Sequence, residues 1–480
     1  MIDSALTAAK QYLKVYDLDN ALKAIDQSLQ KRQQNSGSDL SVYGIILWCK
    51  ILLTKGKFSK DVALATLAHN KLSEVAAFIP NIDHSLIHLP FHLLKGEAYE
   101  QLNQIGQARA VYENMLKISE QAAHDIGKIQ ALNRLAKLLI RDDNSEQALA
   151  FANRSLELLI QYTDEAAYGD LVDNYLLQSQ IFLQKGDLSQ AKNYAERAVV
   201  ICQEKNFLVL SIQSNLQLGK VTAELKENKL AITHLLQAKL QSESINHVAY
   251  TAKSLLHIGI IYNQVFHYSK AQEKFQLVEK KYQKVLDDTE EVLLLNYLGK
   301  SYFQSFDNAT AQKYFLAAEK KATQVNNKTA LVLCLAYLGK ICRRNDQYDR
   351  ALRYAKRVNN LSKAVGDVDG VQVNLVNLGN IHNKLEKYSE GIKLTSRGIA
   401  TAKRLKDDLF EIRGYQVMAE IFRKKKDYKS AVMYQMIYTK FYEDFYQRNE
   451  RQEVADIEYQ IKIDGLAKEI NDLKIARKEQ

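Results

Sequence analysis

The sequence contains little of what turn-rich folds need. Its 480 residues include two prolines and 19 glycines, too few for the frequent tight turns of a β-sandwich or a barrel. It has only four cysteines, which lie in apolar helical segments without the spacing of a metal site or a redox motif. They are Cys49, Cys202, Cys334 and Cys342. We therefore expect reduced thiols in a protein core, which is typical of a cytoplasmic protein.

Long apolar runs and enzyme motifs are missing as well. No stretch approaches the roughly 18 apolar residues of a membrane helix. The first residues, Met1–Ser4, lack the basic start of a secretory signal. A phosphate-binding loop, a zinc-protease motif and a nucleophile elbow are all absent from the sequence. We expect no contact with a membrane, no catalytic residues and no cofactor.

One histidine cluster has the spacing of a helical face. His84, His88 and His92 follow one another at intervals of four residues. On a continuous helix, His84 and His88 could share a metal ion. Pro90 is expected to begin a new helix and so to separate His92 from the other two. We predict no metal site here.

What the sequence does contain is a repeat of about forty residues. The tetrapeptide Tyr297–Lys300 returns unchanged as Tyr337–Lys340, and small residues recur nearly in step on both sides. The first small residue of each unit is Gly96, Ala136, Ser179, Gly219, Gly259, Gly299, Gly339, Gly379 or Ala419. Twelve positions later a second one follows: Ala108, Ala148, Ala191, Ala231, Ala271, Ala311, Ala351, Gly391 or Ala431. Self-similarity at this period is typical of stacked helical repeats, so we predict an all-α fold of tandem helix–turn–helix units.

The pattern within a unit resembles the tetratricopeptide repeat. In several units an aromatic residue follows the first small residue by three positions, as at Tyr262 and Tyr302. Another follows the second small residue by four, as at Phe275 and Phe315. The family's usual unit has about 34 residues, and the longer unit here is similar to that of Pins/LGN-type and bacterial Rap-type regulators. The resemblance implies a right-handed superhelical solenoid whose concave groove is lined by the first helix of each unit.

The composition divides the chain into an array at 1–446 and a tail at 447–480. The array is predicted to hold about eleven helix pairs, of which the first two are irregular. The tail has alternating charges and a short heptad pattern. The heptad residues are Ile463, Leu466, Ile470 and Leu473. We predict a long helix that forms a short dimerising coiled coil, with a solvent-exposed capping helix as the alternative.

Positive charge is concentrated in one part of the chain. The formal net charge is +10, and it comes from residues 291–446, where basic residues exceed acidic ones by eleven. Residues 1–290 are neutral, and 447–480 carry one excess acidic residue. A basic segment of this kind attracts acidic partners. A general role in solubility explains the charge equally well.

The resemblance also implies which side chains face a partner. When the first small residue is counted as position 8, the family uses positions 2, 5, 9, 12 and 13 on the concave face. Lysine and arginine at these positions could pair with carboxylates, and asparagine could hold a peptide backbone. The candidates are Asn133, Lys137, Lys220, Asn263, Asn296, Lys300, Lys340, Arg343, Arg344, Asn380, Asn383, Lys384, Arg423 and Lys424. The competing explanation is that these groups only keep the surface solvated.

Two functions remain open from the sequence. The first is a non-enzymatic protein-interaction scaffold that binds an acidic peptide or protein segment in the groove. The second is a sensory module of a bacterial signalling protein, of the histidine kinase or diguanylate cyclase type, which lacks its output domain and dimerises through the C-terminal helix. Nucleic acid ranks last as a partner, because the aromatic residues fall at core positions instead of forming a stacking platform.

Overall fold

A computed structural model of the chain describes residues 4–14, 17–30, 39–59, 61–79, 85–142, 144–161, 167–364, 366, 368–445 and 447. These residues form helices joined by short turns, and no strand occurs among them. The prediction of an all-α fold built from tandem helix–turn–helix units is therefore confirmed. The described residues fall into two compact units, unit 1 up to His257 and unit 2 from Ile258.

The helices alternate between the two members of a pair, named here A helices (odd numbers) and B helices (even numbers). Unit 1 contains α1 (Ser4–Lys14), α2 (Leu18–Gln30), α3 (Asp39–Ser59), α4 (Val62–Val75), α5 (Ser85–Gln101), α6 (Ile105–Gln121), α7 (Asp125–Arg141), α8 (Ser145–Gln161), α9 (Tyr168–Gln184), α10 (Leu188–Lys205), α11 (Leu208–Glu224) and α12 (Asn228–Ser244). Helix α13 (Val248–Gln264) contains the boundary between the units. Unit 2 continues with α14 (Tyr268–Tyr282), α15 (Asp288–Gln304), α16 (Asn308–Gln324), α17 (Lys328–Arg344), α18 (Tyr348–Ala364), α19 (Val368–Lys384), α20 (Tyr388–Leu405), α21 (Asp408–Lys424) and α22 at 428–445.

The recurring small residue allows each A helix to cross its B helix closely. In unit 2, a Cβ atom on Gly299 would lie 2.9 Å from the ring of Phe315, and one on Gly259 would lie 2.5 Å from the ring of Phe275. Both rings are fully buried. The glycine is therefore required where a large side chain of the B helix fills the crossing. This explains why a small residue recurs at position 8 of the repeat.

Short turns with local hydrogen bonds join the A and B helices. The side chain of Asp307 accepts a hydrogen bond from the backbone N–H of Thr310 at 3.0 Å. Asp427 accepts one in the same way from Ser430 at 3.1 Å. These carboxylates satisfy donors that the first turn of a helix would otherwise leave unpaired. In these two repeats the aspartate between the A and B helices thus marks where the B helix begins.

Two predictions about single residues have different outcomes. Pro90 does not begin a helix: it lies inside α5, which starts at Ser85, so His88 and His92 share one helix. Proline has a helical φ angle but lacks an N–H donor and crowds the carbonyl four residues earlier, so burial of Ile87, Phe91 and Leu94 around it must stabilise the continuous helix. The four cysteines are buried and have free thiols.

Candidate functional site

Three cations gather on the A-helix face of unit 2, the surface formed by α15, α17, α19 and α21. Lys340 and Arg343 come from α17, and Arg413 comes from α21. We name these three residues the cationic cluster. Across the described part of the chain, no carboxylate forms an ion pair with Lys340 or Arg413. The nearest acidic influence on Arg343 is Glu420, whose carboxylate lies 2.6 Å from the Nζ of Lys384.

The three positive charges of the cluster repel one another, which makes the charged form of each side chain less favourable. Burial and, after it, the neighbouring charge of Arg343 together lower the pKa of Arg413 to about 10. Burial also holds the pKa of Lys340 well below its ordinary value, and Arg413 and Lys300 act in the same direction. Half-buried like charges of this kind are costly unless an anion joins them. The arrangement therefore favours binding of a negatively charged group.

An aromatic platform supports part of the cluster. The Nζ atom of Lys340 lies 4.1 Å from the ring centroid of Tyr337. The Tyr337 ring in turn stacks on Phe315, with the centroids 4.9 Å apart. Because Phe315 is buried, this stack fixes Tyr337 and limits where Lys340 can place its charge.

Asparagine amides on α19 lie beside the cations. Asn377 donates a hydrogen bond to Oδ1 of Asn374 at 3.1 Å, and Asn374 donates to Oδ1 of Asn359 at 2.9 Å. The Oδ1 atoms of Asn377 and Asn380 are buried and accept no hydrogen bond from the described protein groups. Lys340, Arg343, Asn374 and Asn377 also line one shallow depression. Amide acceptors next to cations suit a ligand that offers both backbone N–H groups and carboxylates.

Other predicted residues of unit 2 have partners within the protein. Arg344 donates to the carbonyl of Phe303 at 3.1 Å and to Oδ1 of Asn308 at 2.9 Å. Its guanidinium also lies 3.6 Å from the Phe303 ring centroid. Lys384 is paired with Glu420. Lys300 lies near Tyr297, with Nζ 5.4 Å from the ring centroid. Arg344 and Lys384 therefore join neighbouring repeats to each other.

The remaining candidates of unit 2 are either buried or peripheral. Asn263 and Asn383 are buried, and neither amide has a hydrogen-bond partner among the described protein groups. Asn296 is also buried and donates to the carbonyl of Ala330 at 3.4 Å. Arg423 and Lys424, at the end of α21, are exposed. The structure thus separates these residues from the cationic cluster.

In unit 1 the predicted residues are engaged in contacts between repeats. Asn133 donates to the backbone carbonyl of Asp170 at 3.2 Å and accepts from Asn174 at 3.0 Å. Lys137 lies 3.7 Å from a carboxylate oxygen of Glu100. Lys220 is half-buried near His257, whose pKa is lowered first by burial and then by Lys220. Asn133 and Lys137 thus connect neighbouring A helices.

An ion-pair network at the centre of unit 1 explains where Lys137 is anchored. Glu97 is buried and pairs with Arg134 and with Lys57, the latter at 3.0 Å. Arg134 also lies 3.8 Å from Glu100, which accepts a hydrogen bond from the hydroxyl of Tyr112 at 2.5 Å. Burial would raise the pKa of Glu97, but Arg134 and Lys57 outweigh it and hold the pKa at about 2. This part of unit 1 neutralises its own charges.

The sequence prediction missed Arg413. It stands at position 2 of the unit whose small residue is Ala419, and that position belongs to those the family uses. The signal for Arg413 is its position. Among the nine units with an assigned small residue, it is the only arginine at position 2. The predicted dimerisation residues cannot be placed, because the tail lies outside the described residues except for Gln447. Those residues are Ile463, Leu466, Ile470 and Leu473.

Comparison with known proteins identifies the repeats. A family model of the tetratricopeptide repeat matches residues 89–121 and 172–204, which cover the pairs α5–α6 and α9–α10. The chain therefore contains tetratricopeptide repeats, as the sequence pattern predicts. None of the helices in the part of the chain that the structure describes is both long and apolar enough to cross a bilayer.

Solved structures show the same kind of fold at low sequence identity. The apo form of the quorum sensor NprR from B. thuringiensis has a TM-score of 0.56 and 12% identity, over 73% of this chain and 97% of that chain. A Rap protein complexed with Competence and Sporulation Factor has a TM-score of 0.50 and 15% identity, over 67% of this chain and 99% of that chain. No curated protein matches the sequence. These likenesses establish the fold as a helical repeat array of the tetratricopeptide type.

Proposed function

We propose that this chain is a non-enzymatic binding scaffold that captures an acidic segment of a protein or peptide on the A-helix face of unit 2. The observation that carries the proposal is the cationic cluster of Lys340, Arg343 and Arg413, in which Lys340 and Arg413 have no ion-pair partner among the described residues. A carboxylate bound there would relieve the mutual repulsion of the three charges. Asn377 lies beside the cluster, and its Oδ1 atom, which accepts no hydrogen bond from the described protein groups, would accept one from a backbone N–H of the ligand.

The fold supports this proposal in a general way. A Rap protein with a similar fold has been solved in complex with Competence and Sporulation Factor, so this architecture is compatible with ligand binding. Repeat arrays commonly use the face formed by their first helices as an extended binding surface. The proposal for this chain rests on its own charges and amides, since the identity to that protein is 15%.

Reversing the charges of the cluster tests the proposal. We expect the triple variant Lys340→Glu, Arg343→Glu, Arg413→Glu to lose at least about tenfold in affinity for a fluorescein-labelled poly-glutamate peptide, because truncating buried or half-buried charge contacts costs more than 1.4 kcal/mol. Fluorescence anisotropy measures the affinity, and a poly-glutamine peptide of equal length serves as the neutral probe.

A matched control separates the effect of charge at the cluster from the effect of the net charge of the chain. The variant Arg353→Glu, Lys356→Glu, Lys363→Glu changes the net charge by the same amount at exposed positions of α18. It should keep most of the affinity for the acidic probe. Equal losses in both triple variants would show that only net charge attracts the probe, and the proposed site would then be wrong. Circular dichroism checks that both variants remain helical.

The alternative of a dimerising regulatory module has its own test. Helix α22 exposes Tyr428, Val432 and Met436, which lie four residues apart on one face, just before the predicted coiled-coil segment. If the tail dimerises the protein, light scattering should give twice the monomer mass for the full chain and a monomer for a chain that ends at Tyr446. Monomeric masses for both would exclude this mode of dimerisation.

A further inference from the structure

Lys340 differs from Lys137, which occupies the same position of the repeat in unit 1. The Nζ atom of Lys137 lies 3.7 Å from a carboxylate oxygen of Glu100. Among the described residues, no carboxylate forms an ion pair with Lys340, and its Nζ atom lies against the ring of Tyr337. Lys340 is only partly buried, and it lines the shallow depression, which is open to solvent. A small molecule from solution can therefore reach this amine.

The groups with the strongest electrostatic effect on Lys340 are cations from three helices. They are Arg413 from α21, Lys300 from α15, and Arg343 and Arg344 from α17 itself. Helices α18 and α19 contribute only uncharged side chains to the depression, those of Ala351, Ala355, Asn374, Asn377 and Ile381. A negative charge attached to Lys340 would therefore have cations as its nearest charged neighbours, and it would be stabilised there.

These surroundings also favour the neutral form of the Lys340 amine. Burial, followed by the charges of Arg413 and Lys300, holds the pKa of Lys340 well below its ordinary value. An ordinary lysine, with a pKa of about 10.4, is neutral in only about one molecule in a thousand at neutral pH. Since only the neutral amine has a lone pair that can attack an electrophile, Lys340 is more reactive than an exposed lysine.

We propose that Lys340 is a site of reaction with carbon dioxide, at which its amine forms a carbamate that pairs with Arg343 and Arg413. The lone pair of Nζ attacks the carbon atom of carbon dioxide, one C–O π bond becomes a lone pair on oxygen, and the nitrogen releases one proton to water. The neutral amine thus becomes a group with one negative charge. The reaction adds only three atoms to the side chain, so it requires no deep pocket. It supplies an acidic group among cations that have none attached to them.

Carbamate formation would switch off the ligand site of unit 2. The carbamate would neutralise part of the charge of Arg343 and Arg413, and it would repel the carboxylates of an acidic segment. This consequence rests on the proposed function, whereas the chemistry at Lys340 does not. The two are therefore tested by separate measurements.

The first measurement detects the carbamate on the full chain. The protein is equilibrated with isotope-labelled carbon dioxide and bicarbonate at constant neutral pH, and triethyloxonium then converts carbamates into stable ethyl esters. Peptide mass spectrometry should find the label on Lys340. An added dipeptide, whose α-amino group has an ordinary pKa of about 8, is the positive control for the labelling. Lys137 is the matched negative control, because Glu100 would repel a carbamate there. Absence of label on Lys340 in a sample whose dipeptide is labelled would overturn the inference.

Removing one cation tests the role of the cluster. Arg413→Gln takes away a partner of the carbamate and raises the pKa of Lys340, so the labelled fraction of Lys340 should fall at least about threefold. Lys356→Gln removes one positive charge at an exposed position of α18 and should leave the labelled fraction unchanged. An unchanged fraction in Arg413→Gln, or an equal fall in both variants, would contradict stabilisation by the cluster. Circular dichroism checks that both variants remain helical.

The second measurement is the affinity for the fluorescein-labelled poly-glutamate peptide. The reference buffer contains chloride in place of bicarbonate at equal ionic strength and pH. We expect carbon dioxide to weaken binding by the wild-type chain at least about threefold, since an attracting charge is replaced by a repelling one. Lys340→Arg cannot form the carbamate, because its guanidinium stays protonated, so its own affinity should be the same in both buffers.

The outcomes distinguish this inference from the proposed function. An equal loss of affinity in the wild type and in Lys340→Arg would mean that bicarbonate only competes as an anion, and the regulatory role of Lys340 would be wrong. If the acidic peptide binds the wild-type chain in neither buffer, the proposed function fails, while mass spectrometry still decides whether Lys340 forms the carbamate. If Lys340 stays unlabelled but charge reversal abolishes peptide binding, the proposed function stands without this inference.

Discussion

Replacing Glu97 with glutamine is expected to lower the free energy of unfolding of unit 1 by about 3 kcal/mol at neutral pH. The carboxylate is buried and compensates two cations, Arg134 and Lys57. Glutamine has nearly the same shape but no charge, so Arg134 would keep Glu100, at 3.8 Å, and the weaker influence of Asp173 as its acidic neighbours. Removing one member of a buried ion pair costs several kcal/mol because the remaining charge stays out of water.

The pH dependence follows from the same network. The pKa of Glu97 in the folded chain is about 2, below the value of 4.5 for an unperturbed glutamate. Because the folded state holds the proton more weakly than the unfolded state, this contribution is complete above about pH 4.5 and is lost as the pH falls to about 2. The difference in stability between the wild type and Glu97→Gln should therefore shrink over that range.

Trp48 provides a suitable probe for this measurement. It is the only tryptophan of the chain, lies in α3 of unit 1 and donates a hydrogen bond to Asp26 at 2.8 Å. Its fluorescence during urea unfolding should report the loss of unit 1 structure. Asp142→Asn serves as the control, because its pair with Arg109 is exposed and should contribute less than about 1 kcal/mol. Equal effects of the two substitutions would contradict the assigned role of Glu97.

The fold could be predicted because helix packing imposes a periodic pattern of small residues on the sequence. Each A helix needs a small residue where its B helix crosses, so Gly259, Gly299 and Gly339 recur at intervals of forty residues. The place of Pro90 inside a helix could not be predicted from such a pattern. Proline is favoured in the first turn of a helix, and the local sequence does not reveal that packing around α5 extends the helix to Ser85.

The candidate site could be predicted only in part, because periodicity identifies a face of a helix but not the charges that meet there. Lys137 and Lys340 occupy the same position of the repeat. Lys137 lies against Glu100 of another A helix, whereas Lys340 has cations around it. Whether a basic residue is neutralised depends on side chains from neighbouring repeats, about forty residues away in sequence. Only the folded arrangement separates an internal ion pair from a charge available to a ligand.

Alanines at the helix crossings illustrate a second limit of prediction from sequence. Ala152, Ala195 and Ala355 all stand where other repeats have a large side chain. In the structure all three are buried, Ala152 and Ala195 completely and Ala355 with 6% of its surface exposed, because neighbouring side chains pack against them. The substitution of a large residue by alanine therefore does not by itself predict a cavity. The outcome depends on how far the surrounding helices adjust to fill the space.

Gly299→Ala and Gly339→Ala, one added methyl group at equivalent positions of unit 2, are expected to differ clearly in their cost in stability, with the larger loss at Gly299. At Gly299 the new Cβ would lie 2.9 Å from three atoms of the Phe315 ring, and overpacking of a buried crossing costs about 1–3 kcal/mol. At Gly339 the closest contact, to the Cβ of Tyr354, is 3.3 Å, so a shift of a few tenths of an ångström relieves the crowding, and the gain of about 0.5–1 kcal/mol from replacing a mid-helix glycine with alanine should offset most of its cost. Hydrogen exchange of α15 to α18 measures both changes in one unit. Destabilisation of equal size at the two glycines would mean that the crossing at Gly339 is packed as tightly as the crossing at Gly299.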